Sequence, residues 1–148
     1  MGLIREIGKG PLALDTVTFI YFIEEHPRYL PLLDPIFGAI DEGLLPAIAS
    51  SLTLLEVLVV PYRAGNTALA ERYEQLLTRS RGLRLIDIDR VQLRAAAQLR
   101  AVHAGLRTPD AIQVSAALAG DCSALLTNDR DLPTLPGLRI LQLKDFAT

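Results

Sequence analysis

The chain has 148 residues, 50% of them hydrophobic, and its 15 basic and 17 acidic side chains leave a formal net charge of −2. That length suits one ordinary domain, 1–148, and so apolar a composition builds a buried core without disulfide help. The near-even charge excludes a polybasic arm or an acidic tail, so any contact with nucleic acid has to be local.

In chain order, the first eleven residues carry Arg5, Glu6 and Lys9 before any sustained apolar run, which is not the layout of a secretory signal. Residues 12–15 predict a first strand. A helix follows to Glu25 and stops at His26-Pro27, because a residue before proline avoids the α region. Pro31 opens a second helix with Leu33, Ile36, Phe37 and Ile40 on one face, and Gly43 closes it. A short strand at 46–49 leads to a third helix, capped by Ser51 or Thr53 and running to about Val60. The apolar stretch 47–62 is too short, and too interrupted by Ser50, Ser51, Thr53 and Glu56, to span a membrane. The expectation is a cytoplasmic protein. Asn66 caps a fourth helix whose stripe is Leu69, Tyr73, Leu76 and Leu77.

Residues 84–88 read as a strand, and Val91, Ala95, Leu99, Val102 and Leu106 recur at helical spacing as a fifth helix ending near Gly105. Thr108-Pro109-Asp110 then supplies an N-cap, a proline at the first helical position and an acid in the first turn of a helix that stops at Gly120. Cys122, the only cysteine, excludes an internal disulfide or a cysteine-built metal cage, points to a reducing compartment and packs in a core strand. Residues 124–127 form a buried strand, 128–132 a loop and 138–143 a last strand. Strands alternating with helices predict a parallel, doubly wound α/β sheet.

In such a sheet the ends of strands and the starts of the helices after them share one edge, where ligands bind. Asp15 ends the first strand, Glu56 lies early in the third helix and Asp129 follows the strand at 124–127. The helix that begins at Asp110 must run antiparallel to the strand it feeds, so its N-terminus returns to the same edge. Four carboxylates from four segments thus converge, and close like charges raise one another's pKa unless a cation neutralises them. Carboxylate oxygens suit hard ions such as Mg²⁺ or Mn²⁺, and no His or Cys adjoins these positions to suggest zinc. Such a site lowers the pKa of bound water and steadies a phosphodiester under in-line attack, with helix N-termini favouring the anion.

Taken singly, each acid has a plainer reading. Asp15 and Asp129 suit turns, and Asp110 complements a helix dipole. Glu56 stands in sequence among Leu54, Leu55, Val57, Leu58, Val59 and Val60, a setting that demands either the shared site or a salt bridge to arginine. Asp131 is an alternative ligand or a helix cap. Thr127 and Asn128 adjoin Asp129 and can orient carboxylates; Thr16, Ser51 and Thr53 can do the same but equally cap helices. Arg107 and Arg130 flank two of the acids and either bind substrate phosphates or balance their neighbours' charge. Lys9 and Lys144 are the only lysines, and the arginine-rich remainder reflects compositional bias as readily as phosphate recognition. His26 and His103 read as surface or packing residues.

The segments LALDTVTFIYFIEEHP around Asp15, SSLTLLEVL around Glu56, RTPDAIQVSAAL around Asp110 and LLTNDRDL around Asp129 resemble, in order and approximate spacing, those of the PIN-domain nucleases. The resemblance runs over nearly the whole chain, in particular to the VapC-type toxins of bacterial and archaeal toxin–antitoxin pairs, and puts Asp15, Glu56, Asp110 and Asp129 on the family's acidic metal positions. It implies a PIN-like three-layer sandwich with a central, mostly parallel sheet flanked by helices. It also implies a Mg²⁺- or Mn²⁺-dependent ribonuclease that cleaves a specific cellular RNA, forms a homodimer and is inhibited by a small antitoxin. Val17 departs from the small polar residue the family commonly carries two places after the first acid, which touches a secondary contact and not the metal site. Val17 also argues against a phosphatase of the haloacid dehalogenase type, which needs an Asp there. The alternative from another class is a module that keeps the fold and acids but only binds RNA or a partner protein.

Overall fold

In the computed structural model, which describes residues 2–148, the strands are short runs of Ala, Leu and Ile: β1 (Leu12–Leu14), β2 (Ala47–Ser50), β3 (Leu83–Ile86), β4 (Ala124–Thr127) and β5 (Arg139–Gln142). They form one sheet in the order β3-β2-β1-β4-β5, and every pairing is parallel. Leu12 is in register with Ala47 on one side and Ala124 on the other. Successive side chains of a strand point to opposite faces, and here both faces are covered. Leu12, Leu14, Ala49 and Leu126 enter one core, while Ala13, Ile48 and Leu125 enter another on the far side.

Seven α-helices accompany the sheet among the described residues: α1 (Gly2–Ile7), α2 (Thr16–Ile23), α3 (Leu30–Asp41), α4 (Leu52–Arg63), α5 (Thr67–Arg79), α6 (Arg90–Val102) and α7 (Thr108–Ala119). Side chains of α1 to α5 fill the first core, with Phe19, Leu33, Ile36 and Tyr73 at its centre. The second core is built on α7 through Val114, Ala116 and Ala117, with α6 packed outside it. These are the three layers the resemblance implied. The described helices include none long and apolar enough to cross a membrane.

Three local expectations are corrected. α6 ends at Val102, before Gly105, and its buried residues are Gln92 and Ala96, while Val91 and Val102 are exposed and Leu106 is buried beyond the helix end. A narrow face packed on α7 suffices there, so the apolar stripe is not the buried one. Thr108 is the first residue of α7 and not its cap; Arg107 holds the cap position without a side-chain bond. The Thr108 hydroxyl accepts instead from Arg100 Nη1 at 2.8 Å, and Arg100 Nε donates to the Leu106 carbonyl at 2.9 Å, which ties the α6–α7 turn. Cys122 is buried but precedes β4, its thiol pushed up to about 11 by burial. The sequence reading also passed over α1, whose buried residues Leu3 and Ile7 lie one turn apart.

Close approach fixes one glycine. A Cβ on Gly82 would stand 2.2 Å from the Ile40 carbonyl oxygen, so only glycine lets β3 begin beside the end of α3.

Candidate active site

The strand order reverses between β1 and β4, so the connections out of these two neighbours diverge and leave a crevice at their carboxyl ends. Asp15 leaves β1 there and caps α2, its Oδ1 accepting from the Thr16 amide at 2.8 Å. Its other oxygen, Oδ2, accepts from the Thr127 hydroxyl at the end of β4 at 2.6 Å. The same Thr127 oxygen accepts from the Asp129 amide at 3.0 Å, and Asp129 Oδ1 accepts from the Asp131 amide at 2.9 Å. One hydroxyl thereby couples the acid after β1 to the loop after β4.

The other two acids arrive on helices. α7 presents Asp110 in its first turn, paired through Oδ2 with Arg107 Nε at 3.0 Å. Glu56 sits on α4, half-buried, and accepts at Oε1 from the Thr16 hydroxyl at 2.6 Å and from Gln113 Nε2 at 3.2 Å. The ion pairs among the described residues do not include it. The salt bridge to arginine set against its functional reading is therefore replaced by a hydroxyl and an amide. Nor is Glu56 engulfed: Leu55, Val59 and Val60 point outward on the same helix.

Asp15, Glu56, Asp110 and Asp129 all line one cleft of about 340 Å³, together with Thr16, Arg107, Gln113 and Asn128. Burial raises the Asp15 carboxyl above its ordinary value; the Thr127 and Thr16 bonds oppose this, and the charges of Glu56 and Asp110 add to it. Asp110, with Asp129 and Asp131 behind it, holds the exposed Arg107 guanidinium above its ordinary value.

The remaining predicted residues divide. Thr127 and Asn128 adjoin the cleft, although Asn128 Oδ1 accepts from the Lys144 amide at 3.0 Å. Asp131 is exposed and reaches Asp129 only through its amide. Arg130 turns away from the cleft to Asp145 at 2.6 Å, whereas Arg107 stays on its rim. His26 packs with Tyr21 and Tyr29, as a packing residue would. Gln113 escaped the sequence reading. Its position three residues after Asp110 on an apolar helix was the available signal.

Among the described residues, three His, Cys, Asp or Glu side chains nowhere close into a ready-made metal cage. The donor set still fits a hard divalent cation. Mg²⁺ keeps several of its waters and takes only one or two protein carboxylates, so acids spaced around an open cleft suffice. Burial raises Asp15 most, the charges of Glu56 and Asp110 add to it, and that added repulsion is what a cation would relieve.

The sequence profile of the PIN domain matches residues 12–138. The chain belongs to the PIN domain family. Among curated proteins, none matches it. Solved structures with the same fold include a chain of VapBC2 from Rickettsia felis bound to a DNA fragment from its promoter, 21% identical with a TM-score of 0.61, covering 88% of this chain and 97% of that one. A toxin–antitoxin complex from Klebsiella pneumoniae gives 21% and 0.65, over 86% of this chain and 94% of that one. DNA-bound VapBC from Salmonella typhimurium gives 24% and 0.64, over 89% and 97%. The PIN profile begins at β1 and ends at Leu138, so all four acids fall inside it.

Proposed function

We propose that this PIN-domain chain is a divalent-metal-dependent endoribonuclease, a single domain over 1–148 acting in the cytoplasm as the toxin of a toxin–antitoxin pair. The observation that carries this reading is the meeting of Asp15, Glu56, Asp110 and Asp129 on one cleft at the switch point of a parallel sheet. The likeness in fold to the three solved complexes supports an antitoxin partner. An exposed apolar row on α4, Leu55, Val59 and Tyr62, supports a protein interface, either with that antitoxin or in a homodimer.

Asp15, Glu56, Asp110 and Asp129 would together supply the carboxylate donors for Mg²⁺ or Mn²⁺, an ion that keeps several of its waters. When bound, such a cation activates water for attack on phosphorus and offsets charge on the phosphodiester. The chain's own residues set the conditions. An acidic cleft without a counter-ion repels phosphate, so RNA binding follows charge neutralisation. The Thr127 hydroxyl and Thr16 amide hold both Asp15 oxygens, fixing the carboxylate at the junction of β1 and β4. Arg107 on the rim offers a planar donor to an RNA phosphate as the chain enters. Asp129 is held by the bonds to Thr127 and Asp131, so loop motion does not disperse the donor set.

The test is cleavage of a mixed RNA pool by the purified chain in Mg²⁺ or Mn²⁺, beside Asp15→Asn. The expected result is cutting by wild type and none by the variant. Equal cutting by both, or wild-type inactivity with either cation, overturns the reading.

A further inference from the structure

The geometry points to Gln113 as the positioning residue that orients Glu56, an inference that rests on the reading of the cleft as a metal-dependent nuclease site. Gln113 is 5% exposed and comes from α7, one turn past Asp110. Its Nε2 lies 3.1 Å from Thr16 Oγ1 on α2, 3.1 Å from Thr53 Oγ1 on α4 and 3.2 Å from Glu56 Oε1. Three helices that carry or adjoin three of the acids therefore meet at one amide.

Counting hydrogens gives the cluster a direction. The Thr16 hydroxyl has a single hydrogen, and the 2.6 Å contact assigns it to Glu56 Oε1. Thr16 Oγ1 is then the acceptor of its 3.0 Å contact with Thr53, whose own hydrogen is used there. The amide of Gln113, with two hydrogens shared over its contacts to Thr16, Thr53 and Glu56, is left as a donor to all three. Every hydrogen in the cluster runs toward Glu56 Oε1, either directly or through the two threonines. Among the described residues Glu56 Oε2 accepts no hydrogen bond, and Glu56 lines the cleft. One oxygen is pinned and the other is left for a ligand.

Thr16 alone would hold Oε1 by one bond about which the carboxylate swings. Gln113 adds the second direction, and it supplies the hydrogen that keeps Thr53 a donor to Thr16. A buried amide with a purely structural role would matter to folding and be indifferent to which residue occupies position 56.

The test uses the whole chain and two variants, Gln113→Met, which keeps length and removes the donors, and Gln113→Asn, which keeps an amide and withdraws it by one methylene. Removal of an outer hydrogen-bond partner costs about 10- to 100-fold in metal affinity or activity, so at saturating Mn²⁺ kcat should fall by such a factor in Gln113→Met with KM for RNA unchanged. Mn²⁺ affinity, read by calorimetry without RNA, should weaken by about tenfold or more. Gln113→Asn should shift both readings in the same direction while its thermal midpoint stays near wild type. In a Glu56→Gln background, Gln113→Met should weaken Mn²⁺ no further, because the two residues act as a unit. Wild-type kcat and Mn²⁺ affinity in both variants, or the same loss with and without Glu56, overturns the inference while leaving the nuclease reading intact. A wild-type chain that neither cuts RNA nor binds Mn²⁺ overturns that reading, and the inference with it.

Discussion

The hydroxyl of Thr127, fully buried at the end of β4, donates to Oδ2 of Asp15 across the gap between the two central strands at 2.6 Å. That bond opposes the burial that raises the Asp15 carboxyl. With the folded pKa above the unfolded one, the folded chain binds more protons between them, so metal-free stability falls as pH rises through that window and is flat above it. Thr127→Val removes the bond at nearly constant volume. It should move the upper limit of the window to higher pH and cost about 1–3 kcal/mol at neutral pH, where a buried carboxylate loses a donor. Urea unfolding across an acid-to-neutral pH series checks this, and superimposable curves for variant and wild type would refute it.

Arg107 sits beside Asp110 on the rim of the cleft, exposed to solvent, and so plays two parts that pull apart on mutation. It competes with a cation for Asp110, and it offers a donor to phosphate. Arg107→Ala should therefore bind Mn²⁺ more tightly in calorimetry while its KM for RNA rises. A variant whose KM matches wild type would reduce Arg107 to a charge-balancing role.

How far this arrangement could be read from the sequence depends on whether each placement is local. Asp15 ends and Asp129 closely follows short apolar runs that read as strands of a parallel sheet, and Asp110 follows Pro109 at a helix start, so their shared edge is a matter of topology. The partners of Glu56 are not local: Thr16 lies 40 residues away and Gln113 57. No periodicity ties these positions together, and an amide on an apolar helix looks like any satisfied core polar group. The direction of Arg130 was equally hidden, since only the fold brings Asp145 beside it. The short α1 carries two buried apolar residues, too few for a periodic signal.

Tyr73 is fully buried in the core yet donates its hydroxyl to Glu24 Oε2, and burial together with that carboxylate holds the phenol well above its ordinary value. Above about pH 10 the unfolded chain gives up this proton while the folded chain keeps it, so stability falls as pH rises further. Tyr73→Phe should lose about 1 kcal/mol near neutral pH and show a shallower alkaline fall. Cys122, held up to about 11, adds a fall of the same sign in both proteins, so the difference between them isolates Tyr73. Thermal midpoints from neutral pH into the alkaline range decide the matter; parallel slopes would remove Tyr73 from the account.

Gly82 offers a contrast, because it precedes β3 at the amino end of the parallel sheet while the acids lie at the carboxyl end. A methyl group there meets the Ile40 carbonyl oxygen at 2.2 Å, and its own carbonyl accepts from the Ala47 amide at 3.0 Å, so β3 has little room to shift without loosening β2. Overpacking of this kind costs about 1–3 kcal/mol. Gly82→Ala should lower the urea midpoint accordingly, yet Mn²⁺, which by binding the native state should raise the thermal midpoint of wild type, should raise that of the folded variant as much, because none of the four acids lies at this end. Loss of the metal response at full folding would mean that the edge strand and the cleft are coupled more tightly than their separation along the strands allows.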